Sequence, residues 1–155
     1  MNDLLGKKAE DKIKDWLDRP EEGYDFNRIP DQMSGEYGSK NICDFDLYIY
    51  PHHYYIESKA SYKDRIDFSM LTPTQYTGLL DKSKIPGVFG VVIFLFASYK
   101  RAFIIDIREI ERLKNSGTKS LNIKNIDKWG CKYREIETIP NNRKELLDYM
   151  GEFSL

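Results

Sequence analysis

The apolar residues of the first segment, Leu5, Ala9, Ile13, Trp16 and Leu17, recur at spacings of three and four. Such a stripe occupies one face of a helix and predicts one over Asp3 to Leu17. Asn2 or Asp3 is expected to cap its start, and Pro20 ends it. Residues 18–42 are polar and rich in turn formers (Pro20, Gly23, Pro30, Gly35, Gly38), so they read as a long loop or arm. A loop of that length in a small domain is more often functional than idle.

The period then changes to two. Phe45, Leu47 and Ile49 alternate with Asp44, Asp46, Tyr48 and Tyr50; Pro51-His52-His53 supplies a turn, and Tyr54 to Lys59 runs back as the second strand of a hairpin. Residues 60–71 form a polar connection containing Lys63 and Arg65. Thr72 as cap and Pro73 at the first helical position open a helix through Leu80. The apolar run Val88 to Ala97, broken only by Gly90, is too short to cross a bilayer and reads as a buried strand. A turn at Ser98 to Arg101, a strand at Ala102 to Ile107 and a short helix to Lys114 follow. Helix, long loop, two strands, helix, two strands, helix is the order of an α/β fold with a mixed sheet.

Composition narrows the setting. A chain of 155 residues, 41% hydrophobic and 32% charged, suits one domain with a real core. The formal net charge of -1 provides no global basic field, so any nucleic-acid contact must come from local patches. Lys100 to Arg134 is one such stretch, with ten Lys/Arg against four Asp/Glu. Cys43 and Cys131 have no metal-binding spacing. With no secretory signal, they are expected to be free thiols in a cytoplasmic protein with no membrane partner.

Phosphodiester hydrolysis calls for a hard divalent cation, a nucleophilic water and a positive group to steady developing charge. The first hairpin offers this set. Asp44 opens one strand, Glu57-Ser58-Lys59 closes the other, and side chains two apart on a strand share a face. The Ser58 backbone carbonyl is a further candidate metal ligand. Magnesium favours a few carboxylate oxygens with waters retained, and a lysine can orient the attacking water. Spacing alone is weak evidence, because Glu10-Asp11-Lys12 repeats the acidic-x-Lys pattern on a helix. Asp46 shares a face with Asp44 and is an alternative ligand; Asp44 ranks first because it lies nearer the strand end that Glu57 must approach. His52 and His53 are expected at the far end of the hairpin, with nothing converging on them. Arg28, Lys40, Lys63 and Arg65 bracket the acidic cluster and are candidate phosphate contacts. Lys119 and Lys124 make a weaker second basic patch. Tyr37, in the arm, is either a base-stacking residue or an aromatic packed under the loop. Trp129 and Cys131 read as structural.

The run Cys43-Asp44-Phe45-Asp46-Leu47-Tyr48-Ile49-Tyr50, followed by Tyr55-Ile56-Glu57-Ser58-Lys59-Ala60, resembles the core of RecU-type Holliday junction resolvases and their phage relatives, nucleases of the PD-(D/E)XK superfamily. Ser58 stands where that family has Ala. The resemblance continues through Phe68-Ser69-Met70-Leu71 and Gln75, the strand Gly87 to Phe96, Phe103-Ile104-Ile105-Asp106 and Gly117-Thr118-Lys119-Ser120-Leu121, and Gly6-x-x-x-Glu10 fits as well. It implies a restriction-endonuclease-like α/β core, a central mixed β-sheet flanked by helices, in one nuclease domain. The expected core is about 3–125, with the arm at 18–42 and a C-terminal extension at 126–155. It also implies a homodimer in a bacterial cell, encoded by the host or by a phage, that cleaves branched DNA with Mg2+, for which Mn2+ can substitute. Asp44 and Glu57 would be ligands, Lys59 would handle the water, Glu10 would add a carboxylate and Gln75 would sit at the edge of the site. One departure matters: the interval from Leu17 to Asp44 is short, so any stalk reaching into a junction is reduced. A less structure-selective DNA nuclease and a catalytically inactive DNA-binding relative therefore stand as alternatives.

Overall fold

The apolar stripe of the first segment forms α1 (Asn2–Leu17) in the computed structural model, which describes residues 2–18, 23–30 and 41–136. Asn2 and Asp3 stand inside its first turn rather than before it. Pro20, Tyr37 and Lys40 lie outside the described residues.

A six-stranded sheet has the order β1-β2-β3-β5-β6-β8, with β1 at Tyr24–Arg28, β2 at Phe45–Ile49, β3 at His52–Ser61, β5 at Val88–Phe96, β6 at Arg101–Asp106 and β8 at Arg134–Ile136. Neighbours run antiparallel except β3 and β5, which pair in parallel. The crossover between them carries β4 (Arg65–Asp67), a 3-10 turn at Phe68–Met70 and helix α2 (Pro73–Ser83). After β6 come α3 (Ile107–Asn115) and β7 (Ser120–Asn122), which pairs with β4 as a separate two-stranded sheet.

Alternation sorts β5 between two cores. Val91, Ile93 and Leu95 face α1, where Ala9, Ile13, Trp16 and Leu17 meet Phe45, Leu47, Tyr54 and Ile56. Val92, Phe94 and Phe96 face the other layer, where Leu79 of α2, Ile110 and Leu113 of α3, and Ile66 and Leu121 of the small sheet pack. A strand covered on both faces reads as an unbroken apolar run because neither face meets water. Gly90 interrupts that run for a steric reason: a Cβ there would sit 2.7 Å from the Leu79 carbonyl oxygen. Glycine lets α2 approach the sheet.

Several expected boundaries move. The arm contains β1, whose Tyr24 and Phe26 alternate with Asp25 and Asn27 and whose Tyr24 hydroxyl donates to the Leu17 carbonyl. The first hairpin turns at Tyr50–Pro51, so His52 and His53 belong to β3 instead of the turn. The connection at 60–71 holds the end of β3, β4 and the 3-10 turn, because pairing with β7 orders it. α2 extends to Ser83, and β8 brings part of the expected extension into the main sheet, where Arg101 of β6 makes a two-pronged ion pair with Glu135. Both cysteines are free thiols. Among the described residues, no helix is long and apolar enough to cross a membrane.

Candidate active site

The register of the first hairpin creates the site. Pairing between β2 and β3 stops at Phe45 opposite Ile56, whereas β3 continues beside β5 as far as Ser61 opposite Phe96. Beyond Ile56 one side of β3 therefore has no strand against it among the described residues, and Asp44 sits at the fork. The Asp44 amide donates to the Ile56 carbonyl (3.0 Å), and both the Ser58 amide (3.0 Å) and hydroxyl (2.9 Å) donate to Asp44 Oδ2. The N–H and C=O of one residue leave an extended strand on the same side. The Ser58 carbonyl consequently faces the Asp44 side of β3, as a ligand to an ion held there must.

Helices close the site from both faces of the sheet. Glu10 and Lys7 come from α1, and Gln75 comes from the first turn of α2. Together with Gly6, Arg28, Asp44, Glu57, Ser58, Lys59, Ala60 and Met70 they line an open cleft of about 620 Å³. Thr72 caps α2 by accepting from the Gln75 amide, while Gln75 Oε1 accepts from the Thr72 amide. This reciprocal box leaves Gln75 Nε2 to donate to Glu57 Oε2 at 3.1 Å. Lys59 Nζ lies 3.3 Å from the same oxygen. The Arg28 guanidinium meets Glu10 Oε2 at 2.6 Å.

The electrostatics are those of crowded carboxylates. Glu57 is 2% exposed, and its Oε1 is buried without a hydrogen-bond partner. Burial first, and the Asp44 carboxylate second, push its pKa from 4.5 to about 9 against the opposing pull of Lys59. Burial and then Asp44 likewise raise Glu10 to about 7, opposed by Arg28. Concentrated negative charge and an unsatisfied carboxylate oxygen suit a divalent cation, which would favour the ionised forms. Among the described residues no three His, Cys, Asp or Glu side chains form a ready cage. Two carboxylates, a carbonyl and retained waters are what magnesium accepts, so the donor set fits that ion.

Of the other candidates, Asp46 is turned away from the cleft, 3.4 Å from His53 Nε2 and 3.5 Å from Asn27 Nδ2. Arg28 reaches the cleft as Glu10's partner. Lys63 is exposed and does not line it, and Lys124 pairs with Asp64. Arg65 and Lys119 line a different cleft. Lys7, Met70 and the Ser58 hydroxyl were not anticipated. Lys7 had a signal in its position one turn before Glu10 on the same helix; the other two had none.

A mixed sheet that holds acidic residues and a lysine at a fork between two strands, with helices on both faces, is the restriction-endonuclease-like fold. Among solved structures the chain is similar to Hjc, a Holliday junction resolvase from the archaeal hyperthermophile Archaeoglobus fulgidus, with a TM-score of 0.53 and 15% identity over 79% of this chain and 92% of that one. At that identity the likeness speaks for the fold. No family model and no curated protein matches the sequence.

Proposed function

We propose that this protein is a magnesium-dependent endodeoxyribonuclease that hydrolyses phosphodiester bonds in branched DNA, acting as a homodimer in the manner of Holliday junction resolvases. The observation that carries the reading is the convergence of Asp44, Glu57 and Lys59 at the strand fork, with the buried, unpartnered Oε1 of Glu57 among them. The similarity to Hjc, itself a Holliday junction resolvase, supports the choice of substrate.

Asp44, Glu57 and the Ser58 carbonyl would hold the ion, with manganese an acceptable substitute. When bound, the ion supplies Lewis acidity and lowers the pKa of its water. The residues of the chain do the rest. Lys59 holds the attacking water and steadies charge developing on the phosphate. Gln75 fixes Glu57, Ser58 fixes Asp44, and Glu10, paired with Arg28, borders the water's approach. Arg28 and Lys7 give the cleft the positive charge that a phosphate needs.

The deciding assay compares a four-way junction, a flap and a linear duplex of one sequence, with and without magnesium. Junction cleavage that requires magnesium and disappears in Glu57→Ala and Lys59→Ala is expected. Intact cleavage in either variant would overturn the mechanism. The second reading, a less structure-selective nuclease, draws on β1: five residues of the already short arm are spent in the sheet. Equal rates on all three substrates would favour it, and binding without cleavage would favour an inactive relative.

A further inference from the structure

On the far side of the Phe68–Met70 turn lies a second cleft, of about 560 Å³, outside the catalytic one. The turn is the partition between them: Met70 lines the first, Phe68 and Ser69 the second. We propose that this second cleft binds the sugar-phosphate backbone of the DNA strand that continues beyond the scissile phosphate. The proposal rests on the nuclease reading for its orientation, but its chemistry stands on its own residues.

Three cations, Arg65, Lys114 and Lys119, line the cleft against one carboxylate, Asp67. Asp67 meets Arg65 through Nε, at 3.2 Å, and the arginine side chain stays more than half exposed. Lys114 is set in place by Tyr76, its ammonium 3.8 Å from the ring centre. Lys119 makes no ion pair with a described residue. Ser69, Thr118 and Ser120 add hydroxyls, which donate well to phosphate oxygens.

The walls are fixed before any ligand arrives. Asp67 pairs with Ser120 across β4 and β7, and the Phe68 amide donates to the Lys119 carbonyl at 2.9 Å. The negative end of α3 points nearby, but the amides of Ser116, Gly117 and Thr118 take up its last carbonyls and blunt its effect on an anion. Phe68 is 2% exposed and offers no ring face for a base. The ligand is therefore read through phosphates, and a free nucleotide would find nothing to stack on.

The test uses the full chain and the double variant Arg65→Gln/Lys119→Gln, both exposed positions away from the catalytic cleft. DNA binding is measured by anisotropy in EDTA, over a potassium chloride series and on duplexes of increasing length. Expected is a loss of about tenfold for long duplexes, with the salt slope reduced by about two, and no loss once the duplex is too short to cross the turn. Equal affinity and slope for long duplexes, or the same loss at every length, overturns the subsite. So does wild-type binding of inorganic phosphate as tight as that of DNA, which would mark a free-anion site. Wild-type cleavage separates the two readings. If it is absent while the variant still loses binding, the subsite survives and the nuclease assignment falls; if it is present while variant binding is unchanged, the reverse holds.

Discussion

One side chain, Gln75, both closes the cap of α2 and holds the carboxylate of Glu57: its Oε1 accepts from the Thr72 amide at 3.0 Å and its Nε2 donates to Glu57 Oε2 at 3.1 Å. The start of a helix and the orientation of a buried acid are thereby one interaction. Gln75→Ala should lose about 0.5–1 kcal/mol of stability and raise the magnesium concentration for half-maximal cleavage about tenfold. Gln75→Glu keeps an acceptor for the cap but sets a carboxylate against Glu57. It should approach wild-type stability in magnesium while cleaving less than Gln75→Ala. Thermal melts and magnesium titrations of both variants check this.

Ser58 sends two hydrogen bonds to a single oxygen of Asp44, its Oδ2, and so fixes the carboxylate's orientation. Ser58→Ala removes only the hydroxyl's share. A hydrogen bond to a charged group of about 1.5–3 kcal/mol corresponds to a loss of roughly 10- to 150-fold, concentrated in the magnesium dependence and recovered at saturating metal. A fall in turnover at saturating magnesium with an unchanged metal requirement would contradict this role.

The acid cluster makes the metal-free protein sensitive to alkali. Folding raises Glu57 from 4.5 to about 9, so the folded state keeps a proton that the unfolded chain gives up. The stability tied to that proton is complete below about pH 4.5 and is lost as pH rises toward 9. Glu10, raised to about 7, acts in the same sense over a narrower window. Glu57→Gln should therefore stabilise the protein in EDTA, by about 1–3 kcal/mol at pH 8 and by much less at pH 5. Lys59, left without its partner, takes back part of the gain. Urea unfolding at the two pH values measures the difference, and magnesium should stabilise the wild type more than the variant.

Gly90→Ala places a methyl 2.7 Å from the Leu79 carbonyl oxygen and 3.0 Å from its Cβ. Both atoms belong to packed helix, so α2 must shift. A loss of about 1–3 kcal/mol is expected, with reduced cleavage as Gln75 moves with its helix. Denaturation midpoints and cleavage rates should fall together.

What the sequence disclosed followed from the reach of its signals. The stripe of α1 and the unbroken run of β5 are long enough for periodicity to register, and the Asp44–Glu57 approach depends on the register of one local hairpin. β4, β7 and β8 have three residues each and exist through pairing with distant strands, so no period announces them. β1 was hidden by the turn formers around Tyr24–Arg28. In the site, the Arg28–Glu10 ion pair joins residues 18 apart through tertiary packing. The Ser58 hydroxyl matters only because β2 ends where it does. The second cleft is likewise a product of the β4–β7 pairing and the 3-10 turn between β4 and α2.

The parallel pairing of β3 with β5 sets Glu57 opposite Val92 and Lys59 opposite Phe94, against a strand buried on both faces. Asp44 instead sits just before β2, its amide donating to Ile56, its carbonyl accepting from the Ile29 amide at 2.8 Å and its carboxylate held by Ser58. The two carboxylates thus belong to parts of the protein that open on different timescales. Amide exchange at Glu57 and Lys59 waits for global unfolding, while Asp44 exchanges through local opening at the fork. One wall of the site is permanent, and the other can yield to admit a substrate and let a product go.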